Sequence, residues 1–477
     1  MKPVPLSRIA QWTGGRLLGD DVLIDAIATD TRSLDASDGR AALFVALKGD
    51  RFDGHAHVGD AVEAGVRAVL VARQVDIAIP QVVVNDTQHA LAAFAAAMQH
   101  TRPGKVIAIT GSNGKTSVKT LLLSILQRAG SAYANPGNRN NEIGLPLAVL
   151  DAPEDVEFAI YEMGAGKPGD IAYLTAITRP DVALVNNIAP AHLERLGNLL
   201  GVADTKGAIY DALPSGGVAV INSDDAFAPY FAERAHGRRL IRFGLDATAD
   251  VTARSVALDS ASARFELVTP EGETNITLAL AGRHNVLNAL AAASLALAAG
   301  VSLDVIRDGL IAARSVAGRL VTHRLANGAI LIDDSYNANP GSLNAAIDTL
   351  ASAGGESWLV LGDMRELGVD AEALHAEAGR RARAAGVARL YALGPLSAHA
   401  AQAFGDNARH FDSHAALAQA LLADLDMGRD SSPEHISTTP LGSEAFPVVL
   451  VKGSRGSAMD KVVSALLPAA EDTPDAA

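Results

Sequence analysis

Residues Lys105–Ser117 read KVIAITGSNGKTS, and the fold of the surrounding chain turns on this stretch. The apolar run KVIAIT has the length and composition of a buried strand, and a glycine-bounded turn separates it from a helical pattern. That helix places Val118, Leu121, Leu122, Ile125 and Leu126 on one face, and Gly130 is positioned to stop it. Strand, glycine turn and helix start together outline a phosphate-binding loop, whose backbone N–H groups would meet an anion at the positive end of the helix. The usual spacing is G-x-x-x-x-G-K-[ST], whereas Gly111 and Gly114 enclose only Ser112 and Asn113. The turn alone fits either a shortened cradle or a tight turn with a surface lysine. Lys115 and Thr116, followed by Ser117, favour the cradle, because they add a point charge for terminal phosphates and a hydroxyl for Mg²⁺.

Working outward, a length of 477 residues predicts about three domains at roughly 150 residues each. Residues 1–100 mix short strands (ALFVAL, RAVLVA, QVVVN) with an alanine-rich helix, Ala90–Gln99, and HTRPG then reads as a linker. Residues 101–316 repeat the strand-turn-helix pattern. Within them ARFELV and TNITLAL alternate around TPEGE as an antiparallel hairpin. Residues 317–477 carry AILIDD, a helix with Leu343, Ala346, Ile347 and Leu350 in register, then SWLVLG, RLYALG and FPVVLV. Continuous apolar runs separated by helices imply a parallel sheet covered on both faces. The expected fold is therefore three-domain α/β: a small α/β amino-terminal domain, a central P-loop ATPase-like domain with an added hairpin, and a Rossmann-like carboxy-terminal domain. Residues 426–445 and 468–477 are polar and proline-bearing, expected to be mobile and to carry no chemistry.

Composition narrows the functional classes. The chain has no cysteine, which excludes disulfides, thiolate zinc sites and cysteine nucleophiles and fits a reducing compartment. The start, MKPVPLSRIAQW, lacks the apolar core of a signal peptide, and the longest apolar stretch, Ala289–Val301, is interrupted by Ser294 and too short to span a bilayer. A soluble cytoplasmic protein is the expectation. A formal net charge of -14 argues against charge-driven binding to nucleic acid or an anionic membrane. Any anionic ligand must be met by local cations, helix ends or metal.

Several residues are candidates on chemistry alone. EFAIYEMGAGKPGD ends a strand in Glu162, where a carboxylate could hold Mg²⁺ at the carboxyl edge of a parallel sheet or merely cap the turn that follows. GRHNVLNALAA puts Asn285 and Asn288 on one helix face; they could read an adenine edge, or Asn285 could be a helix cap. His192 and Lys206 by themselves fit a hydrogen-bonded loop histidine and a solvated helix lysine. The pair His55 and His57, with only Asp53 nearby, reads as a surface turn rather than a metal site.

The TGSNGKTS form of the loop resembles that of the Mur ligases and their folylpolyglutamate synthetase relatives. The resemblance continues in order through ATDTRSL, LFVALKGDRFDGHAHV, NPGNRNNEIGLP, EMGAGKPGDI, NNIAPAHLERLGN, GRHNVLNALAA, DDSYNANPGS, LGDMRELG and LVKGSRGSAM, nearly the whole chain. Within the family the motifs are most similar to the branch that joins D-alanyl-D-alanine to a UDP-N-acetylmuramoyl-tripeptide. The branch that adds a diamino acid would show DYAHTP and DNPR, both absent here.

The resemblance implies ATP-dependent activation of a carboxylate as an acyl phosphate, which an amine then attacks, by a monomer needing Mg²⁺. It implies that Gly111, Ser112, Asn113, Gly114, Lys115, Thr116 and Ser117 hold ATP, with Asn285 and Asn288 at the base and Asp334 at the ribose. Thr116, Glu162, His192 and Lys206 would serve the metal, Lys206 as a carbamate, and Arg319 would reach the γ-phosphate or acyl phosphate. Lys115, Lys206, His192 and Arg319 form the implied catalytic set. Thr31, Arg32 and Lys48 would anchor the nucleotide sugar, with Asn138, Arg139 and Asn141 on the sugar and peptide. Tyr336, Asn337, Asn339 and Lys452 would face the acceptor, whose site is expected to offer neutral groups. Ala208 departs from the family, which commonly has glutamate there.

Overall fold

The computed structural model describes residues 1–34, 39–49, 52–259, 261–353, 355–427 and 446–467. The expectations for 428–445 and 468–477 lie outside the described residues, while Asp426 and Met427 end the helix His414–Met427.

The strand Lys105–Thr110 lies inside a six-stranded, wholly parallel sheet in the order Arg239–Phe243, Val218–Asn222, Val182–Val185, Lys105–Thr110, Phe158–Glu162, Ala132–Ala134. The next strands along the chain lie on one side of it and the later ones on the other. This reversal opens a crevice at the carboxyl ends of the strands, where ligands bind in such sheets. Val106, Ile107, Ala108 and Ile109 are buried, as a strand covered on both faces requires. The helix Lys115–Ala129 packs Val118, Leu121, Leu122, Ile125 and Leu126 into the core beneath.

The antiparallel unit has three strands, Thr252–Leu258, Ala263–Thr269 and Gly272–Leu278, where the sequence predicts two. The extra edge strand escaped notice because its register shifts between Arg254 and Ala257, with Ser255 at φ 51, so its alternation is broken.

The carboxy-terminal sheet runs Val321–Arg324, Ile330–Asp334, Val448–Lys452, Ser357–Gly362, Arg389–Leu393, Ala408–Phe411, the first strand antiparallel and the rest parallel. The chain's last described strand thus sits in the middle, and its carboxyl end meets the site. Asn339 and Ser342 form a reciprocal cap on the helix Pro340–Ser352.

The amino-terminal sheet has five strands, with Arg16–Leu18 antiparallel at one edge. Its helix begins at Thr87 rather than Ala90, because Asp86 accepts a hydrogen bond from the His89 N–H. One apolar core runs from this domain into the central sheet. The surface turn expected at His55 is corrected: the side chain is buried, 2.6 Å from Asp53 through Nδ1 and accepting the Ala72 N–H at Nε2. His57 is exposed beside Asp60.

Candidate active site

The glycine turn requires its glycines. Gly114 has φ 77, and a Cβ there would lie 2.5 Å from both Asn186 Nδ2 and Asn288 Oδ1. The segment after the neighbouring strand holds the turn in shape: Asn187 accepts the Ser112 N–H through its carbonyl and the Asn113 N–H through Oδ1. Lys115 folds back so that Nζ donates to the Gly111 carbonyl at 2.7 Å.

Glu162 ends its strand opposite this turn and collects donors. Thr116 Oγ1 donates to Oε2 at 2.9 Å, Asn140 Nδ2 to Oε1 at 2.8 Å, and Lys119 Nζ lies 3.2 Å from Oε2. Burial would raise its pKa, but the charges of Lys119 and Lys115 and these hydrogen bonds hold it below the ordinary value. Lys206, on the helix Leu199–Asp211, is 1 % exposed. Burial first, and the Lys115 charge second, push it well below the ordinary lysine value, with Asp170 opposing. Burial likewise lowers His192, against the pull of Glu366.

The carboxy-terminal domain completes the site. Arg319 stacks over Tyr336, with Cζ 4.2 Å from the ring centre, and Nη2 reaches Thr116 Oγ1 at 3.3 Å. Asn339 Nδ2 donates to Asn113 Oδ1 at 2.7 Å, and His192 Nδ1 lies 2.6 Å from Glu366 Oε2. These contacts close a cavity of about 650 Å³ between the two domains.

Ser112, Asn113, Gly114, Lys115, Thr116, Ser117, Asn138, Asn141, Glu162, His192, Lys206, Asn285, Asn288, Arg319, Asp334, Tyr336, Asn337, Asn339 and Lys452 all line that cavity. Gly111 lies behind the lining. Thr31, Arg32 and Lys48 lie outside the cavity lining; Arg32 is forked onto Asp30. Arg139 also lies away from it, on Asp151 at 2.6 Å.

One reading of a side chain is corrected: Asn285 is not a helix cap, since Gly282 takes that position and Asn285 Nδ2 donates to the Ala281 carbonyl. Lys452, in the cavity lining, is buried, with Nζ 2.5 Å from Asp334 Oδ2 and donating to the Asn337 carbonyl.

Comparison with known proteins decides the family. Residues 24–105 match the Mur ligase family catalytic domain, 109–296 the Mur ligase middle domain, and 318–455 the Mur ligase glutamate ligase domain. The UDP-N-acetylmuramoyl-tripeptide D-alanyl-D-alanine ligase of Escherichia coli is 41% identical over 98% of this chain and 99% of its own. This chain belongs to the Mur ligase family. The enzyme of the same name from Haemophilus influenzae is 36% identical, over 96% of this chain and 97% of its own. Among solved structures, MurF from Acinetobacter baumannii superposes with a TM-score of 0.90 at 33% identity, covering 98% of this chain and 99% of its own. MurF ligase from Thermotoga maritima, solved in complex with ADP, gives 0.80 at 26% identity, over 92% and 96%.

Several site residues of this Mur ligase escaped the sequence reading. Asn186 and Asn187 follow the strand Val182–Val185 at the same sheet edge that drew attention to Glu162, so the same rule could have found them. Lys119 lies one turn beyond Lys115, a spacing that puts it on the same side of the helix. Asn140 and Glu366 lie within NPGNRNNEIGLP and LGDMRELG, but nothing local sets either apart from its neighbours.

Proposed function

We propose that the chain joins D-alanyl-D-alanine to a UDP-N-acetylmuramoyl-tripeptide at the expense of ATP, through an acyl phosphate, in peptidoglycan precursor synthesis, as a cytoplasmic monomer. The observation that carries this reading is the meeting of two domains over one phosphate-binding turn, with Arg319 on Thr116 and Asn339 on Asn113. Phosphoryl transfer to a carboxylate gathers negative charge, and what stabilises it is cations and dipoles aimed at the transferring group. In this reading the turn amides and Lys115 hold the triphosphate, and Arg319 is the cation brought by the second domain.

The donor set suits a Mg²⁺ ion. Thr116 Oγ1 and Glu162 Oε2 are adjacent hard oxygens, and Mg²⁺ commonly takes one or two carboxylates together with substrate phosphates and waters. Among the described residues no cluster of three His, Cys, Asp or Glu side chains is built for a metal. Bound there, the ion would neutralise charge on the triphosphate. Lys206, held toward its neutral form, is the amine that could take up CO₂ as a carbamate, adding an anionic oxygen near His192. Asn285 and Asn288 would meet the base and Asp334 the ribose. The amino-terminal domain would anchor the nucleotide sugar, with Asn138 and Asn141 on the peptide.

Among the described residues no helix is long and apolar enough to cross a membrane. The test is ADP release from ATP with the tripeptide precursor, with and without D-alanyl-D-alanine, and product identified by mass. Release dependent on both substrates is expected; coupling of a diamino acid to the dipeptide precursor would overturn the reading.

A further inference from the structure

Arg319, the cation that the carboxy-terminal domain brings to the phosphate-binding turn, has no carboxylate within ion-pair distance among the described residues, and its buried Nε has no hydrogen-bond partner. Two acids of the cavity, Glu162 and Asp334, are engaged with Lys119 and Lys452. Burial first, and the Arg319 charge with it, lower the Lys115 pKa against the pull of Glu162, so the two cations repel one another across the turn. The bond from Arg319 Nη2 to Thr116 Oγ1 is long, 3.3 Å. Something other than an ion pair must keep this side chain in place.

Tyr336 holds it at two points. The Arg319 Cζ lies 4.2 Å from the centre of the Tyr336 ring, inside the roughly 6 Å over which an aromatic face attracts a guanidinium. The Tyr336 N–H donates to the Gly318 carbonyl at 3.2 Å, and the Arg319 N–H donates to the Val316 carbonyl at 3.0 Å. Gly318 has φ 70, and a Cβ there would lie 3.1 Å from the Tyr336 Cβ. Leu320, on the other side of Arg319, has φ 53, uncommon for any residue but glycine. The backbone around Arg319 is therefore a tight turn pressed against Tyr336.

The ring is fixed in turn. Tyr336 lies between the strand Ile330–Asp334 and the helix Pro340–Ser352, and both its neighbours are tied down. Ser335 donates through its N–H and Oγ to Asp333 Oδ1 at 3.0 and 2.6 Å, and the Asn337 carbonyl accepts Lys452 Nζ at 3.0 Å. Among the described residues the Tyr336 hydroxyl makes no hydrogen bond, so what the side chain offers is its ring face. Arg455 uses the same ring, with Cζ 5.4 Å from the centre.

We infer that Tyr336 is a positioning residue for the phosphoryl step, its ring holding the Arg319 guanidinium over the phosphate-binding turn while leaving the cation's charge uncancelled. The inference rests on the ligase reading above. A carboxylate would anchor the guanidinium firmly but would neutralise the charge that the transferring phosphoryl group needs. A neutral ring attracts the cation through its quadrupole without that cancellation, and a planar guanidinium stacks on an aromatic face as an ammonium does not. A cation already in place before substrate arrives needs no reorganisation during the transfer. Tyr336 acts on the reaction through Arg319.

The experiment compares the full-length wild type with Tyr336→Phe, Tyr336→Leu and Tyr336→Met. It reads the rate of ADP formation in a single turnover, where product release cannot mask it, and the KM for ATP, tripeptide precursor and D-alanyl-D-alanine in turn. Tyr336→Phe keeps the ring and should match the wild type in all of these. Tyr336→Leu and Tyr336→Met keep apolar bulk and the backbone N–H; they should slow the single turnover by about 5- to 30-fold, the rate equivalent of one cation–π contact at a part-desolvated site, with every KM unchanged. In an Arg319→Lys background Tyr336→Leu should cost much less than in the wild type, the non-additivity of residues that act as one unit. A wild-type rate in either ring-less variant that folds would overturn the inference. So would a raised KM for D-alanyl-D-alanine at an unchanged rate, which would place the ring on the acceptor, or the full loss repeated in the Arg319→Lys background. A loss in Tyr336→Phe equal to that in Tyr336→Leu would overturn it too, by assigning the effect to the hydroxyl. A wild type that forms no product from its three substrates would overturn the ligase reading itself, before any variant is made.

Discussion

Replacing Lys119 with methionine tests the electrostatic centre of the site. Methionine keeps the length and the apolar stem but deletes a buried cation that lies 3.2 Å from Glu162 and donates to the Asn135 and Gly137 carbonyls at 2.9 and 3.2 Å. Lys119 is 6% exposed and Glu162 3%, so water replaces little of what is lost. Removing one partner of a buried pair costs about 3–5 kcal/mol, because the other charge is left uncompensated. Glu162 keeps its hydrogen bonds from Thr116 and Asn140 and the more distant Lys115 charge, which places the expected loss at the lower end, about 3 kcal/mol.

The sign with pH follows. In the folded wild type Glu162 is held below its ordinary 4.5, so its stabilising contribution is full above that value and is lost as pH falls. In Lys119→Met the largest opposing charge is gone and burial raises the carboxyl. The variant's deficit should therefore shrink as pH drops from 7 toward 4.5 and the acid protonates. Lys119→Met/Glu162→Gln should cost less than the sum of the single changes, a coupling of about 2 kcal/mol. Three domains make a whole-chain melt ill-defined, and Trp12 and Trp358 both lie outside the central sheet. Native-state hydrogen exchange of amides in Lys105–Thr110 and Phe158–Glu162 reads the change locally. A deficit below about 1 kcal/mol, or strict additivity with Glu162→Gln, would refute the reasoning.

Lys115→Ala should abolish ATP turnover while the UDP-linked precursor still binds, measured by calorimetry; wild-type-like turnover would remove the phosphate-binding assignment. Lys206→Ala should lose most activity and recover part of it with added short carboxylic acids, and full activity without them would exclude a carbamate role. Gly114→Ala meets a left-handed backbone cost of about 1–2 kcal/mol and a contact with Asn186 and Asn288, so ATP binding measured by calorimetry should be lost. His375 is buried and neutral, accepting the Met364 N–H at Nε2, and burial lowers its pKa below 6.5. Its contribution is present above that value and lost as pH falls, so His375→Gln should flatten the loss of carboxy-terminal domain protection between pH 7 and 5.5 in hydrogen exchange.

Where a feature of this chain is periodic or local, the sequence carries it. The helix face from Val118 to Leu126 and that from Leu343 to Leu350 are both buried, because burial of one stripe is what selects the period. The turn from Gly111 to Thr116 is legible for the same reason: a positive φ at Gly114 and a lysine at the helix start leave few residue choices. The edge strands Thr252–Leu258 and Val321–Arg324 are not, since neither buries a full face and so neither needs strict alternation.

The site's remaining parts are illegible for a different reason. Asn113 meets Asn339 across 226 positions and Arg319 meets Thr116 across 203, so no window along the chain contains both partners. What makes these contacts possible is topology. The sheet reversal beside Lys105–Thr110 and the central placement of Val448–Lys452 bring two carboxyl edges face to face. Local reading could mark Glu162, Asp334 and Lys452 as strand ends but not which of them pair. The parallel register sets Lys452 beside Asp334, and a buried lysine there requires a carboxylate partner. Register thus converts two strand-end residues into one another's counter-ion, a pairing that no single stretch of the chain contains.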